Sequence, residues 1–206
     1  MNPAWPDSTF PKTIEIDLGS PSCNALDRRR RSGRLTMQIS GFYRDAGTSI
    51  TIDVDSFSFT DHMVSGSMTI VNNGTINGGI SYNMTVTGGS YTVVNGPTST
   101  LEFSGVIQLV EGLATDLFLS GSVAAAEDDV YLLTGSGSGQ SSSQIPYTMT
   151  VSTPVRHLND CLFPVSGNLD FTTEGNDDSF IDYGVDSCDN EYDLTVDDEA
   201  YVIKMI

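Results

Sequence analysis

Basic side chains are scarce: Lys and Arg number 9 against 27 Asp and Glu, a formal charge of −18 over 206 residues. Phosphate binding needs a basic footprint, so nucleic acid is excluded as a partner class, and anionic membrane surfaces are disfavoured by the same repulsion. Histidine is nearly absent, with only His62 and His157. A Ser-His-carboxylate centre would have to use one of them, and neither stands in a nucleophile motif. The Gly-x-Ser-x-Gly string Gly135–Gly139 lies in the serine- and glycine-rich segment 134–144, read as loop rather than as the strand-to-helix elbow such a serine requires. Cysteine is limited to Cys23, Cys161 and Cys188. That is enough for one bridge with a thiol left over, at spacings that fit no zinc pattern. No apolar run is long enough to span a bilayer. The opening MNPAWPDSTFPK shows neither the charged nor the apolar region of an export signal, and no stretch carries convincing helical amphipathicity.

What fills the chain is alternation. In TIEIDL (13–18), Ile14, Ile16 and Leu18 point one way and Glu15 and Asp17 the other, the period of a half-buried strand. LTMQISGFY (35–43), SITIDVDSFSF (49–59), MVSGSMTIV (63–71), TLEFSGVIQLV (100–110), EYDLTV (191–196) and AYVIKMI (200–206) repeat the pattern. The apolar phase changes between Val54 and Phe57, which predicts a bulge at Asp55-Ser56. Asn72-Asn73-Gly74, Gly88-Gly89 and Asn95-Gly96-Pro97 are read as turns. Leu113–Ala126 is the one stretch with room for a helical turn, although Leu117, Leu119 and the following Gly121 fit a strand as well. The expectation is a single all-β domain over 1–206, an antiparallel β-sandwich or a rolled meander sheet of about a dozen strands, preceded by a proline-bearing arm over 1–12.

An internal echo runs through it. SYNMTV (81–86) returns as PYTMTV (146–151), each after a glycine-rich approach and each followed by a strand that contains Ser-Gly and closes on Glu-Gly. IDLGSPSC (16–23) likewise returns as IDYGVDSC (181–188). The pattern predicts an internal hairpin duplication with repeat-like halves of about 13–112 and 113–206.

Charge is laid out unevenly. Arg28, Arg29, Arg30, Arg31 and Arg34 crowd one segment, whereas 174–199 holds eleven acids and no Lys or Arg. The two are expected near each other, or else as separate solvated loops. Within the acidic stretch Asp186, Asp189, Asn190 and Asp193 are the best-spaced oxygen donors for Ca²⁺, although their order departs from the EF-hand pattern. No other cofactor is indicated. If a disulfide forms, Cys161–Cys188 is the favoured pair, on neighbouring C-terminal strands. Trp5, Phe10, Phe42, Tyr43, Tyr82, Tyr91, Tyr147 and Tyr183 are candidates for a sugar-stacking platform if several share an exposed face, and otherwise for core packing.

WPDSTFPKTIEIDLG (5–19), RSGRL (31–35), GFYRDAGTSITIDVDSF (41–57), VSGSMTIVNNG (64–74) and SFIDYGVDSCDN (179–190) together resemble a family of secreted Bacteroidota lipoproteins of uncharacterised function. The resemblance implies an exported chain held at the outer membrane, on its periplasmic or cell-surface side, by an N-terminal lipid on a cysteine upstream of the first strand. No such cysteine is present here. Export would permit a disulfide, and Asp7-Ser8-Thr9 resembles the short O-glycosylation sequon of these bacteria, with Ser8 the acceptor. The function expected is non-enzymatic, structural or in binding at the cell envelope. The alternatives are a glycan-binding or adhesion module and an accessory subunit of an outer-membrane protein complex. The first would show exposed aromatics on one sheet face, the second an exposed apolar edge or patch.

Overall fold

The computed structural model describes residues 1–2, 8–19, 23–24, 30–60, 62–116, 122–175 and 178–205. Its strands are β1 (Lys12–Asp17), β2 (Cys23–Asn24), β3 (Arg30–Ile39), β4 (Ser49–Phe59), β5 (His62–Ile76), β6 (Gly79–Val93), β7 (Thr98–Glu111), β8 (Val130–Gln140), β9 (Pro146–Leu158), β10 (Ser166–Thr173), β11 (Ser179–Val185), β12 (Glu191–Val196) and β13 (Glu199–Lys204). A short 3-10 turn, Val123–Ala126, falls inside the stretch with room for a helical turn. All thirteen strands belong to one antiparallel sheet, and from β3 onward each pairs with the next in the chain. The architecture is therefore the meander, one of the two all-β forms expected. β1 and β13 stand at its ends and do not pair with each other, so the sheet is open. A compact monomer of 22.1 kDa exposes about 9,300 Å². This chain exposes 11,875 Å², the excess expected of a sheet that covers itself only in part.

Register explains the two faces. Residues directly opposite in an antiparallel pair share a face. Met37, Ile52, Met68, Val86 and Phe103 follow one another across β3 to β7. The row of opposite facing reads Gln38, Thr51, Thr69, Thr85, Ser104, Ser136 and Thr150. One face is thus apolar and the other hydroxylated, as the alternation predicts. The best-buried part of the apolar face is Phe103, Val151 and Val155, with Met84, Leu133, Leu169 and Tyr183 packed around it.

Strands this long do not stay straight. Register shifts fall at Ser32/Arg34, Val54/Phe57, Ser65/Ser67 and Val86/Gly89 on successive pairs, and again at Leu133/Ser136 and Ser166/Asn168. They form a belt of bulges across the sheet, and each bends its strand and increases the twist, so the belt rolls the sheet. The predicted bulge at Asp55-Ser56 is one of them. Gly66 shows why glycine is needed there: its φ is +130°, and a Cβ would lie 2.9 Å from the Cα of Gly89 on the neighbouring strand.

Three expectations are corrected by this belt. Asn72-Asn73-Gly74 is not a turn: β5 runs on to Ile76 and reverses at Asn77-Gly78, while buried Asn72 donates from Nδ2 to the Tyr43 carbonyl at 2.9 Å. Gly88-Gly89 is a bulge inside an unbroken β6. The serine- and glycine-rich segment is largely strand β8. Its glycines are covered by rings from adjacent strands. Phe103 lies over Gly105 and Gly135, and Tyr147 lies over Gly139 with its hydroxyl donating to the Thr100 carbonyl at 2.8 Å. This is aromatic rescue of glycine in a sheet. Tyr147→Ala should cost about 1–2 kcal/mol in urea unfolding, whereas Tyr147→Phe, which keeps the ring, should cost less than half as much.

The topology also places the sequence echo and the two charge clusters. SYNMTV lies in β6 and PYTMTV in β9, three strands apart, so the copies run in opposite directions and start from opposite ends of the sheet. Arg30, Arg31 and Arg34 belong to β3, near one end of the strand order, and the acidic stretch spans β11 and β12 near the other. The two charge clusters do not meet among the described residues, because a meander keeps sequence-distant strands apart. Arg28, Arg29 and Asp177 lie outside the described residues.

Candidate apolar binding groove

On the apolar face, where the bulge belt crosses β4 to β7, the sheet curves around a groove of about 430 Å³. Ile52 and Val54 come from β4, Val64 and Met68 from β5, Val86 and Tyr91 from β6, and Leu101 from β7. Tyr147 reaches it from β9, across the glycine surface of β8, and closes one side. The floor is low where Gly66 and Gly89 meet backbone to backbone, since no side chain fills that space. None of the lining residues carries a charge. Such a site gains affinity from apolar burial and discriminates by shape rather than by ion pairing.

The groove continues onto an apolar tip. Tyr91 is 44% exposed and stacks on His62, ring centroids 5.0 Å apart. Val93 and Val94, at the same end of β6, are also exposed. The Nδ1 of His62 is buried and finds no hydrogen-bond partner among the described residues.

The candidate aromatics divide by role. Phe10 packs edge-on against Phe42 at 5.0 Å, and Tyr43 stacks flat on Tyr82 at 4.7 Å. Tyr82 is fully buried, and burial together with the neighbouring Tyr43 phenol raises its own phenol above the ordinary value. Tyr183 leans on Tyr192, and burial raises it as well. Only Tyr91 and Tyr147 of the candidates line the groove, and Trp5 lies outside the described residues. The two histidines are held on different strands: His157 sits opposite Tyr131 on β8, far along the strand order from His62 on β5.

The proposed calcium donors are dispersed. Asp186 accepts from Arg156 at 3.0 Å and from the Ser166 hydroxyl at 3.2 Å. Asp189 accepts the Glu191 amide at 3.0 Å, Asn190 donates to the Met205 carbonyl at 3.0 Å, and Asp193 stands in β12 opposite Asp182 and Val202. No group of three or more His, Cys, Asp or Glu among the described residues is arranged to hold a metal ion. The four are close along the chain, but the fold engages them in separate turns and strand pairs.

Cys161 and Cys188 are bridged, with their Cα atoms 5.7 Å apart. The pair is the one expected, but its setting differs: both lie in connections, Cys161 between β9 and β10 and Cys188 between β11 and β12. Ser8 is exposed; Asp7 of its tripeptide lies outside the described residues.

A polar cluster that the sequence did not single out stands at the end of the sheet bearing the β3–β4 and β7–β8 connections. Arg44 reaches Asp129 at 2.9 Å and Asp116 at 3.7 Å, and donates to the carbonyls of Gly112 at 3.1 Å and Leu113 at 3.3 Å. The second Asp129 oxygen accepts the Tyr131 hydroxyl at 3.0 Å. Arg44 and Asp129 are 13% and 5% exposed. Burial pushes the Tyr131 phenol upward, and the nearby Tyr43 phenol and Asp129 carboxylate act in the same direction. Fully engaged, the cluster works as a clamp on the sheet end. Comparison with protein-family models, with curated proteins and with solved structures finds no match to this chain.

Proposed function

We propose that this chain is a non-enzymatic binding domain of the cell envelope, exported and tethered as an outer-membrane lipoprotein, which takes the apolar part of a partner molecule into the groove of β4 to β7. The observation that carries the reading is a lining without a charged residue, in a chain with a formal charge of −18. A sheet so acidic that leaves an uncharged hollow open to solvent has a reason to do so, because contiguous exposed apolar surface on a soluble domain marks interaction sites. Export is supported by the Cys161–Cys188 bridge, since structural disulfides persist in oxidising compartments. The lipid tether and the outer-membrane address rest on the family resemblance. The non-enzymatic reading is supported by the separation of His62 from His157 and by the engagement of each with ring or strand neighbours.

Titration with Nile red, an uncharged solvatochromic dye, tests the site. Met68→Lys puts an ammonium on the groove floor, and burying it unpaired is costly. Dye affinity should fall about tenfold or more, roughly 1.4 kcal/mol, while Thr69→Lys, one residue along and on the hydroxylated face, should leave it unchanged. Equal affinity in all three proteins would remove the groove from consideration.

The glycan-binding reading keeps one specific support, the presence of Tyr91 and Tyr147 in the same groove. It requires that Tyr91→Ala abolish retention on immobilised neutral glycans, a result the apolar-partner reading does not require.

A further inference from the structure

A second surface, independent of the groove, lies at the last strand. β12 and β13 are joined by Asp197-Asp198, whose φ values are +54° and +63°. That is a two-residue turn of the primed type, which fixes register. It sets Val196 opposite Glu199, Leu194 opposite Tyr201 and Tyr192 opposite Ile203. The Met205 amide donates to the Asn190 carbonyl at 2.7 Å. In an antiparallel pair the residues that exchange hydrogen bonds alternate with those that do not. Counting back from Met205 and out from the turn gives one answer: residues 199, 201, 203 and 205 bond inward to β12. Ala200, Val202 and Lys204 therefore turn their amides and carbonyls to the open side.

Both ends of the sheet are not alike. The outer side of β1 is occupied at Thr13, which exchanges two backbone hydrogen bonds with Asn2, each 2.8 Å. β13 has no strand beyond it among the described residues. It is free of proline and bulges, and it leaves Tyr201 and Val202 exposed, the latter at 65%. Natural sheets usually blunt such an edge.

The charge around the edge selects the kind of strand. Pairing with a second copy of β13 about Val202 would set Ala200 against Lys204, which makes no ion pair, and would bring together two stretches 174–199 with eleven acids each and no Lys or Arg. Lys204 is already held by Glu191 at 2.6 Å. We propose that the open edge of β13 accepts, by strand addition, an extended segment of a partner protein in which apolar and basic residues alternate. The partner's amides and carbonyls complete the ladder at Ala200, Val202 and Lys204. Its apolar side chains cover Val202, and its cations lie on the opposite face beside Glu199, with Asp197 and Asp198 at the adjacent turn.

The probe is an end-blocked peptide of about nine residues alternating lysine and valine, long enough to span the edge, with fluorescence anisotropy as the readout. Its control has the same composition and charge but is N-methylated on alternate residues, so that it cannot join a ladder. Val202→Pro removes an amide that points outward, sparing the internal β12–β13 bonds. The expected result is binding by the native chain that weakens about tenfold or more with either the methylated peptide or the Val202→Pro protein, and that falls with salt. Met68→Lys should bind the peptide normally, which separates this proposal from the groove. Binding that ignores N-methylation and Val202→Pro would mean charge alone, and would overturn it. So would no binding, or a native chain that self-associates in gel filtration and becomes monomeric on Val202→Pro.

Discussion

Replacing Arg44 with methionine is expected to destabilise the domain by about 3–5 kcal/mol, the range for breaking one side of a buried ion pair. At this chain length that lowers the melting temperature by about 10 °C or more. The guanidinium serves two carboxylates and two carbonyls at once. Without it, the Asp129 carboxylate, which is only 5% exposed, keeps the Tyr131 hydroxyl but loses its cation, and the carbonyls of Gly112 and Leu113 lose a donor. Removing the acid is the smaller injury. In Asp129→Asn the guanidinium still has Asp116 and both carbonyls, and the amide can still accept the Tyr131 hydroxyl, so about 1–3 kcal/mol is expected. The order of the two losses is the informative quantity. If Arg44→Met proved milder than Asp129→Asn, or if both lay below about 0.5 kcal/mol as exposed pairs do, the clamp would be ornamental to folding.

The clamp matters because of what the sheet lacks. Among the described residues no second layer covers the apolar face beyond the bulge belt, whereas the most buried side chains, Tyr82, Leu109 and Val165, stand at or near the clamped end. The connecting residues 40–48, 112–116, 122–129 and 159–165 converge there. Asn159 ties the set together, donating from its side chain to the Ala126 carbonyl at 2.8 Å and from its amide to the Asp129 carbonyl at 3.0 Å. Stability concentrated at one end leaves the other free to open and to bind, in keeping with the low-stability character of binding regions.

Much of this fold is legible from residues alone. Ile14, Ile16, Met37, Ile39, Ile50 and Ile52 announce their shared face by a period of two, and the phase break at Asp55-Ser56 announces its bulge. What misleads is glycine. A bulge and a turn ask for the same positive-φ residue, so Gly88-Gly89 and Asn73-Gly74 look like reversals although their strands continue. The β8 glycines look like a loop because the rings that replace their side chains, Phe103 and Tyr147, belong to other strands. The groove is hidden for the same reason. Its lining is ordinary strand sequence, and only the register of β4 to β7, with Tyr147 carried over Gly139, makes those residues neighbours. Arg44 gives no local signal, since its partners lie 68 to 85 positions away.

Breaking the Cys161–Cys188 bridge should have the second large effect, and it should be felt unevenly. The two cysteines are 27 positions apart. A closed loop of that length constrains the unfolded chain by about 3–4 kcal/mol in the chain-entropy model, or about 10 °C in melting temperature. Cys161 is buried at the clamped end, in the β9–β10 connection; Cys188 belongs to the β11–β12 connection. The bridge therefore fastens the last three strands to the part of the molecule that is already firm. Beyond their ladders and the packing of Tyr183 on the core and on Tyr192, those strands have little else: Val185 and Val202 are exposed, and the ion pairs Arg156–Asp186 and Lys204–Glu191 are largely solvated, so they contribute little. In Cys161→Ala/Cys188→Ala, hydrogen exchange should quicken first in β11, β12 and β13, while the amides of β6 to β9 keep their protection until global unfolding. Reduction of the native chain should reproduce the pattern, because the cause is the lost covalent link and not the substituted side chains. A uniform loss of protection would make the bridge a global fastener instead, and an unchanged melting temperature would mean that β10 and β11 hold these strands without it.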